Sequence, residues 1–189
     1  FTGAMDYWPN VDAVTWFATE VLPRVRSRVP TARFYVVGMN PSPAVRGLAG
    51  DPATVVTGRV EDVRPYLRHA GVVVAPLRVA RGIQNKVLEA MAMARPVVAT
   101  AEAAVALSGR PGLEYAVAAD AAEFAAAVCE LLDSPRGEDM GRRARERVLS
   151  DYTWAASQRR LGGLLEQVAD ATAVATPGRA GGVDYACQS

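Results

Sequence analysis

The chain has 189 residues, half of them are apolar, and its formal net charge at pH 7 is +1. This length suits one compact domain with a few additional helices. A net charge so close to zero does not favour nucleic acid as a partner, and we expect none. We also expect no membrane-spanning segment, because no apolar run is long enough, and no signal peptide.

Strands and helices alternate in the first 70 residues. Phe1-Thr2 has the composition of a strand end, with Gly3 as its turn, and the lack of an initiator methionine suggests part of a longer protein. We expect Asn10 to cap a helix from Val11 to Val29, in which Pro23 causes a bend or a break. The other elements predicted in this half are a strand at 33–37, a short helix near 43–49, a strand at 55–57 and a helix at 61–70.

The second half of the chain continues the alternation. Its central unit is an apolar strand, Gly71–Ala75, then a loop, a helix from Lys86 to Met93 that Pro96 ends, and a second apolar strand, Val97–Ala99. The later predicted elements are a short helix near 104–107, a strand at 115–118, a helix capped by Asp120, an arginine-rich helix at 136–151 and a terminal helix at 153–168 capped by Thr153. Residues 1–168 are therefore predicted to form one domain, and residues 169–189 a tail or extension.

This order of elements predicts an α/β fold, a doubly wound parallel sheet with right-handed crossovers and extra C-terminal helices. Three of the strands end in glycine, at Gly3, Gly38 and Gly58. In open sheets of this kind, ligands lie at the carboxyl ends of the strands. Because glycine lets a backbone approach a ligand closely, we expect the three glycines to line one ligand-binding edge.

The loop Arg81–Asn85 and the helix that follows it are the predicted ligand site. A helix N-terminus carries partial positive charge and favours acidic side chains, yet Lys86 stands in the first turn. A bound anion would explain a cation at this position. Arg78 and Arg81 bracket the same loop; each could simply be solvated, but two arginines beside a helix N-terminus favour an anion site.

Lys86 and Glu89 are three residues apart and share one helix face. One interpretation is an intrahelical ion pair, which contributes about 0.2–0.5 kcal/mol. The other separates their roles, so that Lys86 binds a phosphate and Glu89 accepts hydrogen bonds from sugar hydroxyls. The sequence leaves both interpretations open.

Several familiar signatures are missing. Gly38-Met39-Asn40-Pro41 is not a dinucleotide-binding fingerprint, and the chain has no Walker-type phosphate loop. His69, the only histidine, lies near a predicted helix C-terminus, where the helix dipole favours it, so we expect a surface histidine and no Ser-His-Asp set. The two cysteines, Cys129 and Cys187, lack metal-ligand spacing, and Cys129 in an alanine-rich helix indicates a buried thiol in a reducing compartment.

The segment Lys86–Ala92, followed by Pro96–Ala99, resembles the donor-binding half of family 4 (group 1) glycosyltransferases. The likeness extends from Phe1 to about Val168, and through Gly82–Lys86 it is strongest to the sugar transferases of PEP-CTERM and exopolysaccharide systems. Other segments that match the family are Phe1–Gly3 with Pro9-Asn10, Val36–Gly38, Gly58–Val60 and Asp151–Trp154.

The resemblance implies a GT-B architecture, in which two Rossmann-like domains face each other across a cleft. It also implies a nucleotide-diphosphate-sugar donor, retention of anomeric configuration, no obligatory metal and no cofactor. Glu89 matches the glutamate expected to hold the donor's ribose, and Gly82–Asn85 match the loop whose backbone meets the diphosphate and sugar. The predicted donor-binding residues are Gly3, Gly58, Val60, Arg78, Arg81, Gly82, Ile83, Gln84, Asn85, Lys86 and Glu89. No catalytic residue is assigned.

Two departures from the family pattern bear on this expectation. Arg81 stands where the family has a first glutamate that touches the donor sugar. Ala4 and Pro9 or Asn10 stand where basic residues usually follow the first glycine. Lys86 and Arg78 would then have to balance the phosphate charge.

Three functions therefore stay open. The first is the donor half of a sugar transferase for a surface or exported polysaccharide, which would need an N-terminal acceptor-binding domain as partner. The second is a nucleotide-binding regulatory module without transfer, and the third an α/β interaction domain without a ligand. We expect a cytoplasmic protein at the inner membrane face, although the basic run Arg142–Arg147 is more typical of a solvated helix face than of a membrane contact.

Overall fold

The computed structural model describes residues 1–174, with side chains through residue 167. The chain divides into two compact units, Phe1–Asp151 and a second that begins at Tyr152. All the strands found in the described residues belong to the first unit. The boundary predicted at residue 168, between the domain and its tail, stays a prediction. Residues 175–189 of the predicted tail lie outside the described residues.

The first unit alternates strands and helices as predicted. Its strands are β1 (Phe34–Val37), β2 (Thr54–Gly58), β3 (Val73–Ala75), β4 (Val97–Ala99) and β5 (Ala116–Val117). Its helices are α1 (Trp8–Trp16), α2 (Leu22–Arg28), α3 (Pro43–Gly47), α4 (Arg64–His69), α5 (Asn85–Ala92), α6 (Ala101–Ala104), α7 (Ala121–Leu131) and α8 (Pro135–Asp151). A π-helical turn, Phe17–Val21, joins α1 to α2, and a 3₁₀ turn, Leu48–Gly50, follows α3.

Every strand pair in the described residues is parallel. β1 pairs with β2, β3 pairs with β4, and β4 pairs with β5. Thr2 adds a single parallel bridge to Val37, so the first residues of the chain run beside the end of β1. Parallel strands joined through helices produce the α/β fold that the element order predicted.

The core explains why β3 and β4 are continuous apolar runs. All residues of both strands are buried, as expected for a parallel sheet covered on its two faces. Phe17 of the π-helical turn packs on Phe34 of β1, with ring centroids 4.4 Å apart, and on Phe124 of α7, at 5.9 Å. Cys129 of α7 is only half-buried, so the expected buried thiol is wrong, and Cys187 lies outside the described residues.

Several predicted helix boundaries are wrong for local reasons. α1 begins at Trp8 and not at Val11, because Pro9 suits a first helical turn. The helix is interrupted before Pro23, by a π-helical turn, and Pro23 lies at the start of α2. α6 begins directly after β4, because the Thr100 side chain accepts a hydrogen bond from the Ala103 N–H. α4 starts at Arg64, three residues later than predicted.

The second unit contains α9, Trp154–Val174. Thr153 is its predicted cap, and its hydroxyl oxygen accepts a hydrogen bond from the Ala156 N–H at 3.2 Å. The helix continues six residues beyond the predicted end at Val168. Within residues 1–174, none of the helices combines the length and the apolar character needed to cross a bilayer.

Gly141 provides a test of how closely α8 packs against the end of α5. A β-carbon at Gly141 would overlap the carbonyl oxygen of Ala94. We therefore expect Gly141→Ala to lower the free energy of unfolding by about 1–3 kcal/mol, the usual range for overpacking. Urea denaturation measures this change.

The matched control is Gly47→Ala in α3, where a β-carbon would meet no atom within 4 Å. Alanine has a higher helix propensity than glycine, so this change should be neutral or stabilise by up to about 1 kcal/mol. Equal effects of the two substitutions would contradict the close packing of α8.

Candidate functional site

A cavity of about 590 Å³ lies at the carboxyl ends of β1, β2 and the Thr2 segment. Its walls are residues 2–4, residues 37–39, Arg59 and Val60 after β2, and residues 83–86 at the start of α5. Tyr7, Asn10, Val63 and Glu89 complete the lining. Its volume is within the usual range for small-molecule sites, and its position is the one at which α/β sheets bind ligands.

The glycines that follow the strands meet at this edge, as predicted. Gly38 donates its N–H to the Gly58 carbonyl at 3.2 Å, and Gly3 donates to the Val37 carbonyl at 3.0 Å. A β-carbon at Gly38 would overlap the Gly3 carbonyl oxygen. The two backbones can approach this closely only because Gly38 has no side chain.

Lys86 is the half-buried cation of the cavity, whereas Arg59 is exposed. Its Nζ donates a hydrogen bond to Asn10 Oδ1 and lies 4.0 Å from the ring centroid of Phe1. Burial lowers the pKa of the Lys86 ammonium to about 8, and the negative charge of Glu89 offsets part of this effect. The direct Lys86–Glu89 ion pair does not occur among the ion pairs within 4 Å in residues 1–174. The intrahelical interpretation is therefore not the one that the structure adopts.

Asn10 is the residue whose role sequence reasoning missed. The prediction that it caps a helix is wrong, because it lies inside α1 and is buried. Its Nδ2 donates to the Ala4 carbonyl at 2.9 Å while its Oδ1 accepts from Lys86. Asn10 thereby connects the turn after Gly3 with the first turn of α5. A sequence signal for this role was the match of Pro9 or Asn10 to the family position that usually carries a basic residue.

The loop before α5 is stabilised by a hydrogen bond from one of its own side chains to its backbone. Gln84 Nε2 donates to the Arg81 carbonyl at 3.1 Å, and Gly82 has a positive φ of 64°. Gln84 is the N-cap residue of α5 and makes no side-chain cap hydrogen bond, and the first turn of α5 carries no acidic residue. The positive end of the α5 dipole therefore faces the cavity without a carboxylate of its own first turn to neutralise it.

The structure brings most of the predicted residues together. Seven of the eleven line the cavity: Gly3, Val60, Ile83, Gln84, Asn85, Lys86 and Glu89. Tyr7 and Arg59 also line it and were not predicted, although Arg59 lies inside a segment that resembles the family. Both side chains are exposed, and exposure cannot be inferred from apolar periodicity.

Four predicted residues do not line the cavity. Gly58 is next to it through its bond with Gly38, and Arg81 and Gly82 belong to the exposed loop before α5. Arg78 makes a bidentate ion pair with Asp12 of α1, in which Nε lies 3.0 Å from Oδ2. The Asp12 carboxylate already balances the charge of Arg78. This geometry does not favour Arg78 as an anion ligand, and that role stays a prediction.

A family model described as glycosyl transferases group 1 matches residues 1–134. The chain belongs to this family. The matched residues include every residue that lines the cavity, from Thr2 to Glu89. The recognition of a group 1 glycosyltransferase domain is therefore confirmed, whereas the narrower likeness to PEP-CTERM and exopolysaccharide transferases stays a prediction.

Three solved structures resemble this group 1 domain. Sucrose-phosphate synthase from Thermosynechococcus elongatus has a TM-score of 0.63 and 24% identity, over 80% of this chain and 42% of that chain. A mutant of TarM from S. aureus, in complex with fondaparinux, α-GlcNAc-glycerol and UDP, has a TM-score of 0.68 and 16% identity, over 85% and 34% of the two chains. The C-terminal domain of LpcC from Francisella tularensis, a group 1 family protein, has a TM-score of 0.63 and 18% identity, over 75% and 80%.

At these identities the likeness concerns the fold. It confirms the predicted class, a Rossmann-like α/β domain of the kind that forms one half of a GT-B transferase. The group 1 domain spans less than half the length of the first two proteins. A comparison with curated protein sequences finds no match.

Lys86 should make anion binding depend on pH. The free protein loses the Lys86 charge above a pKa of about 8, whereas a bound diphosphate favours the charged form and raises that pKa. Binding of a nucleoside diphosphate should therefore take up a proton between about pH 8 and 10, and its affinity should fall as the pH rises through this range. Calorimetry at pH 9 in two buffers of different ionisation enthalpy measures the proton uptake.

Lys86→Ala should weaken the binding of a nucleoside diphosphate at pH 7 by about 1.5–3 kcal/mol, the range for a hydrogen bond to a charged group, and should abolish the proton uptake. Arg68→Ala, which removes an exposed cation of α4 outside the cavity, is the matched control and should leave both unchanged. Unchanged affinity in the Lys86 variant would show that this lysine is only a helix residue.

Proposed function

We propose that this chain is the donor-binding half of a retaining glycosyltransferase. In this proposal it moves a sugar from a nucleotide-diphosphate sugar to a glycan or lipid-linked acceptor in polysaccharide biosynthesis. The observation that carries the proposal is a single arrangement: Lys86 is held in the strand-end cavity at the N-terminus of α5, with Glu89 in the same wall. Membership of the group 1 family supports the reaction class.

The cavity has the charges that a leaving diphosphate needs. When the bond between sugar and diphosphate breaks, negative charge accumulates on the diphosphate oxygens. The Lys86 ammonium and the N-terminus of α5 can stabilise this charge, and both are already in place before the reaction. Because burial opposes the charged form of Lys86, an anion gains more from this lysine than from a solvated one.

Glu89 is positioned for the nucleoside end of the donor. It lies three positions after Lys86, which is a rise of about 4.5 Å along α5. Its carboxylate lines the cavity and is exposed, so it can accept hydrogen bonds from two neighbouring ribose hydroxyls. We infer that Lys86 binds the diphosphate and Glu89 the ribose of one nucleotide. The UDP in the TarM complex makes UDP the first nucleotide to test.

A regulatory nucleotide-binding module without transfer remains the second candidate. The observation in its favour is Arg81, which stands where the family pattern has a sugar-binding glutamate and lies outside the cavity lining. Both candidates require nucleotide binding, whereas a domain without a ligand does not. A panel of nucleoside diphosphates in a thermal-shift assay separates these classes, because ligand at one hundred times its Kd adds about 2.7 kcal/mol of stability.

The role of Glu89 can be tested by comparing a ligand that has both a ribose and a diphosphate with one that has only the diphosphate. Glu89→Gln should weaken UDP binding while leaving the affinity for inorganic pyrophosphate nearly unchanged, because pyrophosphate has no ribose. Titration calorimetry with both ligands measures the difference. Glu138→Gln, which changes an exposed carboxylate on α8, is the control and should alter neither affinity. Equal losses for the two ligands in the Glu89 variant would rule out a ribose contact.

Transfer is expected to require a second domain. When donor and acceptor are both bound in the right geometry, their proximity can lower the activation barrier for transfer by about 7–11 kcal/mol. The predicted donor residues all lie within the first unit of this chain. We therefore expect this chain to bind UDP-sugars without transferring them, and a longer chain with an acceptor-binding domain to transfer them with EDTA present.

A radiolabelled sugar-nucleotide assay with lipid and oligosaccharide acceptors provides the measurement. Comparable transfer by the 189-residue chain alone would contradict the need for a second domain. Loss of transfer in EDTA would contradict the proposal that the reaction uses no metal.

A further inference from the structure

Asn10 is a buried polar side chain of the candidate site to which the proposed function assigns no task. It is the third residue of α1 and is 7% exposed. Its Nδ2 donates to the Ala4 carbonyl at 2.9 Å, and its Oδ1 accepts from Lys86 Nζ. A carbonyl and an ammonium require opposite ends of an amide, so these two partners together fix its orientation.

Lys86 is positioned by this amide. Among the side chains that the structure describes, Asn10 is the hydrogen-bond partner of Lys86 Nζ, and the Phe1 ring, 4.0 Å away, is its cation–π contact. A lysine ammonium has three N–H donors. One bond to Asn10 therefore fixes the place of the ammonium and still leaves donors for a ligand in the cavity.

The chemical type of the partner decides how much charge stays available. Arg78 lies against the Asp12 carboxylate, with Nε 3.0 Å from Oδ2, and that carboxylate balances its charge. The Asn10 amide is neutral, so it can orient Lys86 without balancing its charge. A carboxylate at position 10 would instead compete with a phosphate for the same ammonium.

Other ionisable groups surround the same cavity. Arg59 follows β2, Tyr7 precedes α1, and Glu89 lies on α5 with Lys86. The Phe1 amine is also near Lys86; burial and the Lys86 charge lower the pKa of this amine to about 5, so it is uncharged above pH 7. A substitution of Asn10 leaves all of these groups in place, and its effect on Lys86 can be measured separately from theirs.

We propose that Asn10 is a positioning residue for diphosphate binding, whose neutral amide holds the Lys86 ammonium in the cavity wall and leaves its full positive charge to the ligand. This inference rests on the proposed function and deepens the role of Lys86 in it. Asn10 then acts only through Lys86. Removing the amide and replacing it with a carboxylate should both weaken binding, for opposite electrostatic reasons.

The first test is a double-mutant cycle of Asn10→Ala and Lys86→Met. Inorganic pyrophosphate is the probe because it has the diphosphate without a ribose, and titration calorimetry at pH 7 measures its affinity. Asn10→Ala should weaken binding by about fivefold or more in the chain that keeps Lys86. In the Lys86→Met background the same substitution should change the affinity by less than about twofold.

The second test measures the charge state of Lys86 itself. Lys86 is the only lysine of the chain, so lysine labelled with ¹³C at Cε gives a single NMR resonance whose titration reports this ammonium. Asn10→Ala should lower the pKa of Lys86, because it removes an acceptor that favours the charged form, whereas Asn10→Asp should raise it. Both variants should nevertheless bind pyrophosphate more weakly at pH 7 than the wild-type chain does.

The outcomes separate positioning from a purely structural role. Equal losses from Asn10→Ala with and without Lys86 would overturn the inference, because the effect would then come from the bond to Ala4. Pyrophosphate binding by Asn10→Asp as tight as that of the wild-type chain would also overturn it. Thermal unfolding of each variant shows whether it is folded at the assay temperature, and the cycle alone decides if Asn10→Asp is not.

Failure of this inference can be distinguished from failure of the proposed function. A wild-type chain that binds neither pyrophosphate nor UDP would overturn both. Wild-type binding that Lys86→Met weakens, together with an unchanged affinity in Asn10→Ala, would overturn the role of Asn10 alone and leave the proposed donor site in place.

Discussion

The hydrogen bond from Lys86 Nζ to Asn10 Oδ1 is the interaction on which the candidate site depends. It connects α5 with α1 across the ends of the strands, and the second Asn10 bond, to the Ala4 carbonyl, fixes the turn between them. A β-carbon at Gly3 would lie 2.8 Å from Asn10 Nδ2 and 3.3 Å from Lys86 Nζ, so a side chain at this position would displace the Asn10 amide. Burial and the α5 dipole both oppose a cation here, and a bound anion removes both penalties.

The short segment Phe1–Gly3 connects the site to the sheet. Its carboxyl end lines the cavity beside Lys86. Its position is set by backbone bonds to β1, and Gly38 has no side chain that would push it away.

Family membership and geometry answer different questions about this chain. The match to group 1 glycosyl transferases establishes the reaction class of the family, and the solved structures establish the fold. The cavity shows which side chains can act: Lys86 and Arg59 are in the lining, while Arg78 is paired with Asp12. The Lys86 ammonium, the exposed Arg59 and the N-terminus of α5 are then the positive groups available to a diphosphate.

The sequence by itself determined the features that depend on local pattern. Apolar runs, glycines after strands and the helix that carries Lys86 and Glu89 are set by residues close together in the chain, and the structure reproduces them within a few residues. The tertiary structure alone decided which side chains meet. Asn10 and Lys86 are 76 positions apart, and Arg78 and Asp12 are 66 apart, so no periodicity links them. Their contacts arise because α1 packs beside α5 and the loop after β3, and that packing depends on the whole core.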